Sequence, residues 1–174
     1  MRLNAQLSRS EEAAIEALLR MEKPRLRLWD AVGNQGEDWH TGTFCTIECG
    51  SILVDLRTAV IPLTPSFEMF KLSLSVNEQP KTAADARLAL DLEWPSVLKG
   101  VLSISCDDDC VSTQNDWLGQ EFSTRVTTGI ALLTSTSPVC INCSHAAPLI
   151  SVGASPESVQ QYLKGSTVIR VWTP

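Results

Sequence analysis

The apolar residues of this chain change period at Pro24. Ahead of it they recur every three to four positions, so that Ala14, Ile15, Leu18 and Leu19 form one stripe on a helix. Beyond it they alternate, as in "RLRLW" (Arg25–Trp29) and "FKLSLSV" (Phe70–Val76), and alternation puts every second side chain on one face of a strand. A chain written this way has to pair strands into sheets and then cover the apolar faces. The expected class is α+β with β dominant: an N-terminal helix, antiparallel strands, and a short strand–helix–strand unit at the C-terminal end.

Local punctuation sharpens the pattern. Ser8 and Glu11 fit a capping box, in which hydroxyl and carboxylate satisfy the free amides of a helix start. Pro24 stops that helix near Met21–Lys23. Gly33–Gly42 reads as a loop, and Thr43–Arg57 as a hairpin turning at Gly50-Ser51, where glycine accepts positive φ. Pro62 and Pro65 mark a break. The ambiguous Thr82–Trp94 favours a strand over Arg87–Trp94, because its apolar face alternates without interruption. "GVLSISC", "STRVTTGIALLTS" and "PLISV" add strands. In the last unit Gly153 ends a strand, Ser155 caps, Pro156 takes the first helical position, Gly165 closes the helix, and "STVIRVW" returns as a strand. Two units are expected: a β-rich body over 1–147, and a segment over 148–174 packed on it or continuous with it.

Composition narrows the function classes. Of 174 residues, 44% are hydrophobic and 20% charged, which is globular usage. Apolar runs stay far short of the ~18 residues needed to cross a bilayer. Glu11, Glu12 and Glu16 interrupt the stretch that a signal peptide would keep apolar. A cytoplasmic location without membrane insertion is expected. Net charge is −6, with six basic and four acidic side chains up to Arg27 and eight against sixteen afterwards. That acidic body repels phosphate backbones and argues against nucleic acid.

Six cysteines fall into the pairs Cys45/Cys49, Cys106/Cys110 and Cys140/Cys143, and His145 follows the last. Zinc sites are built from knuckles that turn two thiolates toward one ion, and Cys140/Cys143 has the C-x2-C spacing. Cys45 and Cys49 lie on an expected strand, ~13 Å apart along it. "CDDDC" reads as a turn that brings Cys106 and Cys110 together and offers Asp107–Asp109 to a hard cation. Buried structural thiols are the favoured reading, disulfides are a lesser one given the lack of a secretory signal, and Cys106, Cys110, Cys140, Cys143 and His145 are the candidate ligands of the remaining alternative, a small zinc- or thiol-containing domain.

No motif announces catalysis. There is no G-x-S-x-G elbow, phosphate-gripping glycine loop or H-E-x-x-H pair, and the glycines of "VGNQG" lack the Lys-Ser/Thr that would complete a phosphate site. No enzyme activity and no cofactor are expected. Five tryptophans point to contacts instead: Trp29, Trp94 and Trp172 fall in strand patterns, while Trp39 and Trp117 fall in polar loops, and tryptophan is enriched at interface hot spots.

The segment "PLISVGASPESVQQYLKGSTVIRVW" (Pro148–Trp172) resembles the first half of the surface-presentation-of-antigens (SPOA) module. That module occurs in flagellar switch proteins and in the SctQ sorting-platform (C-ring) proteins of type III secretion. The matching positions are Ile150, Val152 and Gly153 in the first strand and Val159 and Leu163 on the helix. Gly165 is the turn, and Val168, Ile169 and Val171 lie in the second strand. The preceding helix and Trp-containing β-rich text are similar to the family's variable amino-terminal region. The resemblance implies cytoplasmic scaffold work through contacts with stator and ATPase-linking proteins, and self-association by strand exchange. The candidate contact residues are then Ile15, Leu18 and Leu19, should they not be buried, with Trp39, Trp117, Val168, Ile169 and Val171. On this reading, the last unit begins a module that a longer chain would continue. An unassigned β-sandwich adaptor or a phage or virion structural protein fits the composition as well.

Overall fold

The alternating text folds into two sheets in the computed structural model, which describes residues 2–31, 39–64, 67–77, 89–92, 98–111, 121–136, 138–144, 147–153 and 155–174. Chain order is β1 (Arg2–Ala5), α1 (Arg9–Leu19), β2 (Arg25–Trp29), β3 (Trp39–Gly42), β4 (Phe44–Cys49), β5 (Ile52–Thr64) and β6 (Phe67–Asn77). β7 (Ala89–Leu92), β8 (Leu98–Val111), β9 (Glu121–Thr134), β10 (Val139–Cys143) and β11 (Ile150–Gly153) follow, then α2 (Pro156–Lys164) and β12 (Thr167–Trp172). One sheet runs β12-β8-β9-β10-β11-β3, with β1 filling in beside β9, and the other runs β6-β5-β4-β2-β7.

The inner faces of the two sheets share one core. Leu26, Leu28, Ile47, Val54, Leu56 and Leu72 from one meet Val101, Ile130, Leu132, Ile141, Ile150 and Val152 from the other. Each set takes alternate positions of its strands, as period two requires. α1 adds Ala14, Ile15, Leu18 and Met21 to the same cluster. It reaches from β6, through the Lys71–Glu11 ion pair, to β12, through Arg170–Glu12. The helix therefore closes one side of the sandwich.

The final unit is a crossover. β11 and β12 are separated in their sheet by β10, β9 and β8, and four antiparallel pairings in succession make them parallel. α2 crosses the outer face between them. Its Val159 packs on Ile104, Ala131 and Cys140, with Leu163 and Tyr162 against the same patch. Segment 148–174 is thus woven into the body's own sheet, and Ile150, Val152 and Trp172 belong to the shared core.

Most of the punctuation acts as expected. Ser8 and Glu11 form the capping box, Gly50 turns the β4–β5 hairpin at φ +59°, and Ser155 caps α2 by accepting from the Ser158 amide at 3.1 Å. β7 falls inside the expected Arg87–Trp94 strand. Three expectations need correction, and one strand comes without any: Arg2–Ala5 pairs parallel to β9. The 33–42 text is not all loop, because Trp39–Gly42 pairs with β11 as an edge strand. Pro62 does not end β5, which runs on to Thr64 through a register shift between Pro62 and Thr64; beyond Leu56 that strand has β6 on one side and no described partner on the other, so a missing amide is tolerated, and Pro65 lies outside the described residues. "CDDDC" is not a turn but part of β8, paired residue by residue with β9 from Cys106 to Val111.

Candidate interaction surfaces

The helix stripe is internal. Ile15 and Leu18 are completely buried, and Leu19 packs half-buried on the same core. These residues hold the sandwich shut rather than meeting a partner. The physical reason lies in sheet geometry: the open side between two sheets needs an apolar cover, and α1 is the nearest amphipathic element.

Strand geometry pulls the cysteine pairs apart. Cys106 and Cys110 are four residues apart on extended β8, which separates their backbones by ~13 Å. Cys140 and Cys143 are three apart on β10, so they point to opposite faces. Cys140 lies under α2, whereas Cys143 enters the core between the sheets. Burial pushes both thiols up to about 12, and burial, aided by the Asp55 charge, raises Cys45 further. Since the thiolate is the ligand and the nucleophile, these positions favour packing over chemistry. Among the described residues no group of three or more His, Cys, Asp or Glu side chains is arranged to hold a metal ion. His145 and Trp117 lie outside the described residues, as does Trp94.

Trp39 is not a loop tryptophan waiting for a partner. In β3 it stands directly opposite Gly153 of β11. A Cβ at Gly153 would lie 2.9–3.0 Å from three atoms of the indole, so the ring covers the glycine with its face. Tyr162 of α2 meets it edge-on, with centroids 5.9 Å apart. The tyrosine hydroxyl sits over a second glycine, 2.9 Å from where a Gly129 Cβ would be. Burial raises the Tyr162 phenol to about 12, against the opposing influence of Thr128 and Asn142. Two glycines thus seat two aromatic rings on the outer face of the sheet.

The remaining candidates are on β12. This strand bonds to β8 along one edge, and its other edge carries no strand among the described residues. Val168 is 43% and Val171 54% exposed, while Ile169 is half-buried at a bulge between Val168 and Arg170. Arg170 pairs with Glu12 and lies over the Trp172 ring at 4.9 Å, which anchors the strand's inner end. The result is an ordered edge with two apolar side chains in water, the kind of edge that another chain can extend. No helix among the described residues is long and apolar enough to cross a membrane.

Compared with family models, with curated proteins and with solved structures, the chain matches none.

Proposed function

We propose that this chain is a non-catalytic assembly component that works through protein–protein contacts, with β12 as its docking element. The observation that carries this reading is the open edge of β12 with Val168 and Val171 exposed on it. Exposed valines on an edge that has no described neighbour lose water contact and gain a backbone ladder when a second strand is added. The resemblance of Pro148–Trp172 to the SPOA module directs the proposal to the cytoplasmic sorting platform of a type III secretion apparatus. The partners would be stator and ATPase-linking proteins, or a further copy of the chain.

The buried thiols and the divergence of Cys140 from Cys143 weigh against the zinc or thiol alternative. A two-sheet adaptor of another assembly shares the docking element and differs only in its partner.

The test is capture of purified stator and ATPase-linking proteins by the wild-type chain and by a Val168→Asp/Val171→Asp double variant, with light scattering of each alone. Binding or self-association lost in the double variant, at unchanged melting temperature, is the expected result. Binding by the double variant equal to wild type removes β12 from the proposal, and absence of both capture and self-association removes the assembly role.

A further inference from the structure

The outer face of the larger sheet carries a second feature that the β12 reading does not use. On either side of Tyr162 lies a cleft, one of about 460 Å³ and one of about 380 Å³. Asn142, Gln161 and Tyr162 line both, so the two compartments share a wall. Ser105, Thr128, Ser144 and Ser166 border the larger, and Trp39, Ser151 and Ser158 the smaller. Both volumes fall in the range of about 300–1,000 Å³ typical of small-ligand sites.

The lining has a distinct chemistry. Among the described residues it contains no Asp, Glu, Lys or Arg, in a chain that carries 34 of them. Among those residues an ionic ligand would find no countercharge. The polar groups are hydroxyls and carboxamides; Ser158 and Ser166 donate their protons to the Ser155 and Tyr162 carbonyls and offer a ligand acceptors. Beside them stand two aromatic rings with apolar bodies and polar tips. Gly153 and Gly129 fix those rings before any ligand arrives, which lowers the ordering cost of binding. Gln161 is exposed on α2, and its side chain makes no hydrogen bond to another described residue.

We infer that this divided groove binds a neutral polyhydroxylated ligand, a saccharide of two or three rings. Its ring C–H face would lie against Trp39 or Tyr162, and its hydroxyls would be matched by Asn142, Gln161 and the serines. A peptide is the less suitable occupant. The floor is the face of a paired sheet, so its backbone groups are already bonded in ladders, and the walls offer hydroxyls where alternate peptide side chains would seek apolar pockets.

The full chain is titrated with maltotriose, cellotriose and chitotriose, and with trigalacturonate as the charged comparison, by calorimetry and saturation-transfer NMR. Saturable 1:1 binding of at least one neutral trisaccharide with Kd of about 1 mM or tighter is expected. Gln161→Ala should weaken it by about three- to tenfold, the loss of one or two hydrogen bonds. Trp39→Ala should abolish it, and Val171→Asp should leave it unchanged, which separates this site from β12. Gln161 is an exposed side chain, so its variant stays informative even where Trp39→Ala fails to fold. No saturable signal with any neutral trisaccharide up to about 10 mM, affinity unchanged in Gln161→Ala, or equal binding of trigalacturonate would each overturn the inference. So would displacement of the bound trisaccharide by an extended neutral peptide.

Discussion

Lys71 of β6 donates to both carboxylate oxygens of Glu11, at 3.2 and 2.9 Å, and so ties the first turn of α1 to the edge of the smaller sheet. One of those oxygens also accepts from the Ser8 amide at 2.7 Å and the Ser8 hydroxyl at 2.8 Å. The carboxylate is at once half of the capping box and the anchor of the helix that closes the sandwich.

That double role has a pH signature. Burial alone would raise the Glu11 carboxyl, but the Ser8 amide, Lys71 and the Ser8 and Ser73 hydroxyls outweigh it and hold the group below its ordinary value of 4.5. A carboxyl depressed in the folded state adds stability above its unfolded value and loses it as pH falls through the folded one. Glu11→Gln should therefore cost about 1.5–3 kcal/mol near neutrality, the range for hydrogen bonds to a charged group. The gap from wild type should narrow as pH drops below 4.5. Urea midpoints of both proteins at pH 7 and pH 3 check this, and a gap of constant size would show that the charge contributes nothing.

The two glycines of the outer face should differ sharply from the glycine that ends α2. Gly153→Ala drives a methyl to 2.9 Å from the Trp39 ring, whereas Gly165→Ala meets nothing nearer than the Tyr162 carbonyl at 3.9 Å and has an ordinary φ of −92°. The first change should cost about 1–3 kcal/mol as overpacking and shift the near-ultraviolet dichroism of tryptophan. The second should be within about 0.5 kcal/mol of neutral. Thermal melts and spectra of the two variants side by side decide the matter. Equal effects would mean that Trp39 is free to move off the sheet.

How much of this was legible beforehand depends on the distance over which each signal acts. Ser8-x-x-Glu11, Gly50-Ser51 and Ser155-Pro156 are contacts among neighbours in the chain, and the sequence spelled them correctly. Arg2–Ala5 offered no such cue, since four residues become a strand only when β9 lies alongside. Pro62 misled because its effect depends on which edge of β5 is paired. The ends of β10 show the same limit, since C-x2-C spacing fits a knuckle or a strand equally, and the pairing with β9 and β11 selects the strand. The outer groove draws on β3, β8, β9, β10, β11 and α2, so nothing local could have assembled it. Trp39 and Gly153 are 114 residues apart and meet only through the β3–β11 register.

The four described thiols should react in an order set by burial. Cys49 is partly exposed, its Sγ donating to the Glu22 carbonyl at 3.0 Å, while Cys45, Cys140 and Cys143 are buried. With Cys140 and Cys143 pushed up to about 12 by burial, very little thiolate exists at pH 8, and access requires unfolding. Brief iodoacetamide labelling of native protein, read by peptide mass spectrometry, should modify Cys49 first and leave the other three until urea is added. Early labelling of Cys140 would mean that α2 lifts readily from the sheet.

Leu18 and Val171 were both written as apolar side chains on an element's face, and the fold assigns them opposite roles. Leu18 is completely buried under two sheets, and Val171 is 54% exposed on β12. Leu18→Ala removes core atoms and leaves a cavity, which should cost about 2–5 kcal/mol. Val171→Ala loses little contact and should stay within about 0.5 kcal/mol of wild type. Denaturant midpoints of the isolated chain measure both, and concentration separates the causes. If Val171 is covered by a second copy at high protein concentration, the Val171→Ala deficit should grow with concentration while the Leu18→Ala deficit stays fixed. A Leu18→Ala protein as stable as wild type would show that α1 does not close the sandwich, and that its stripe is available to a partner after all.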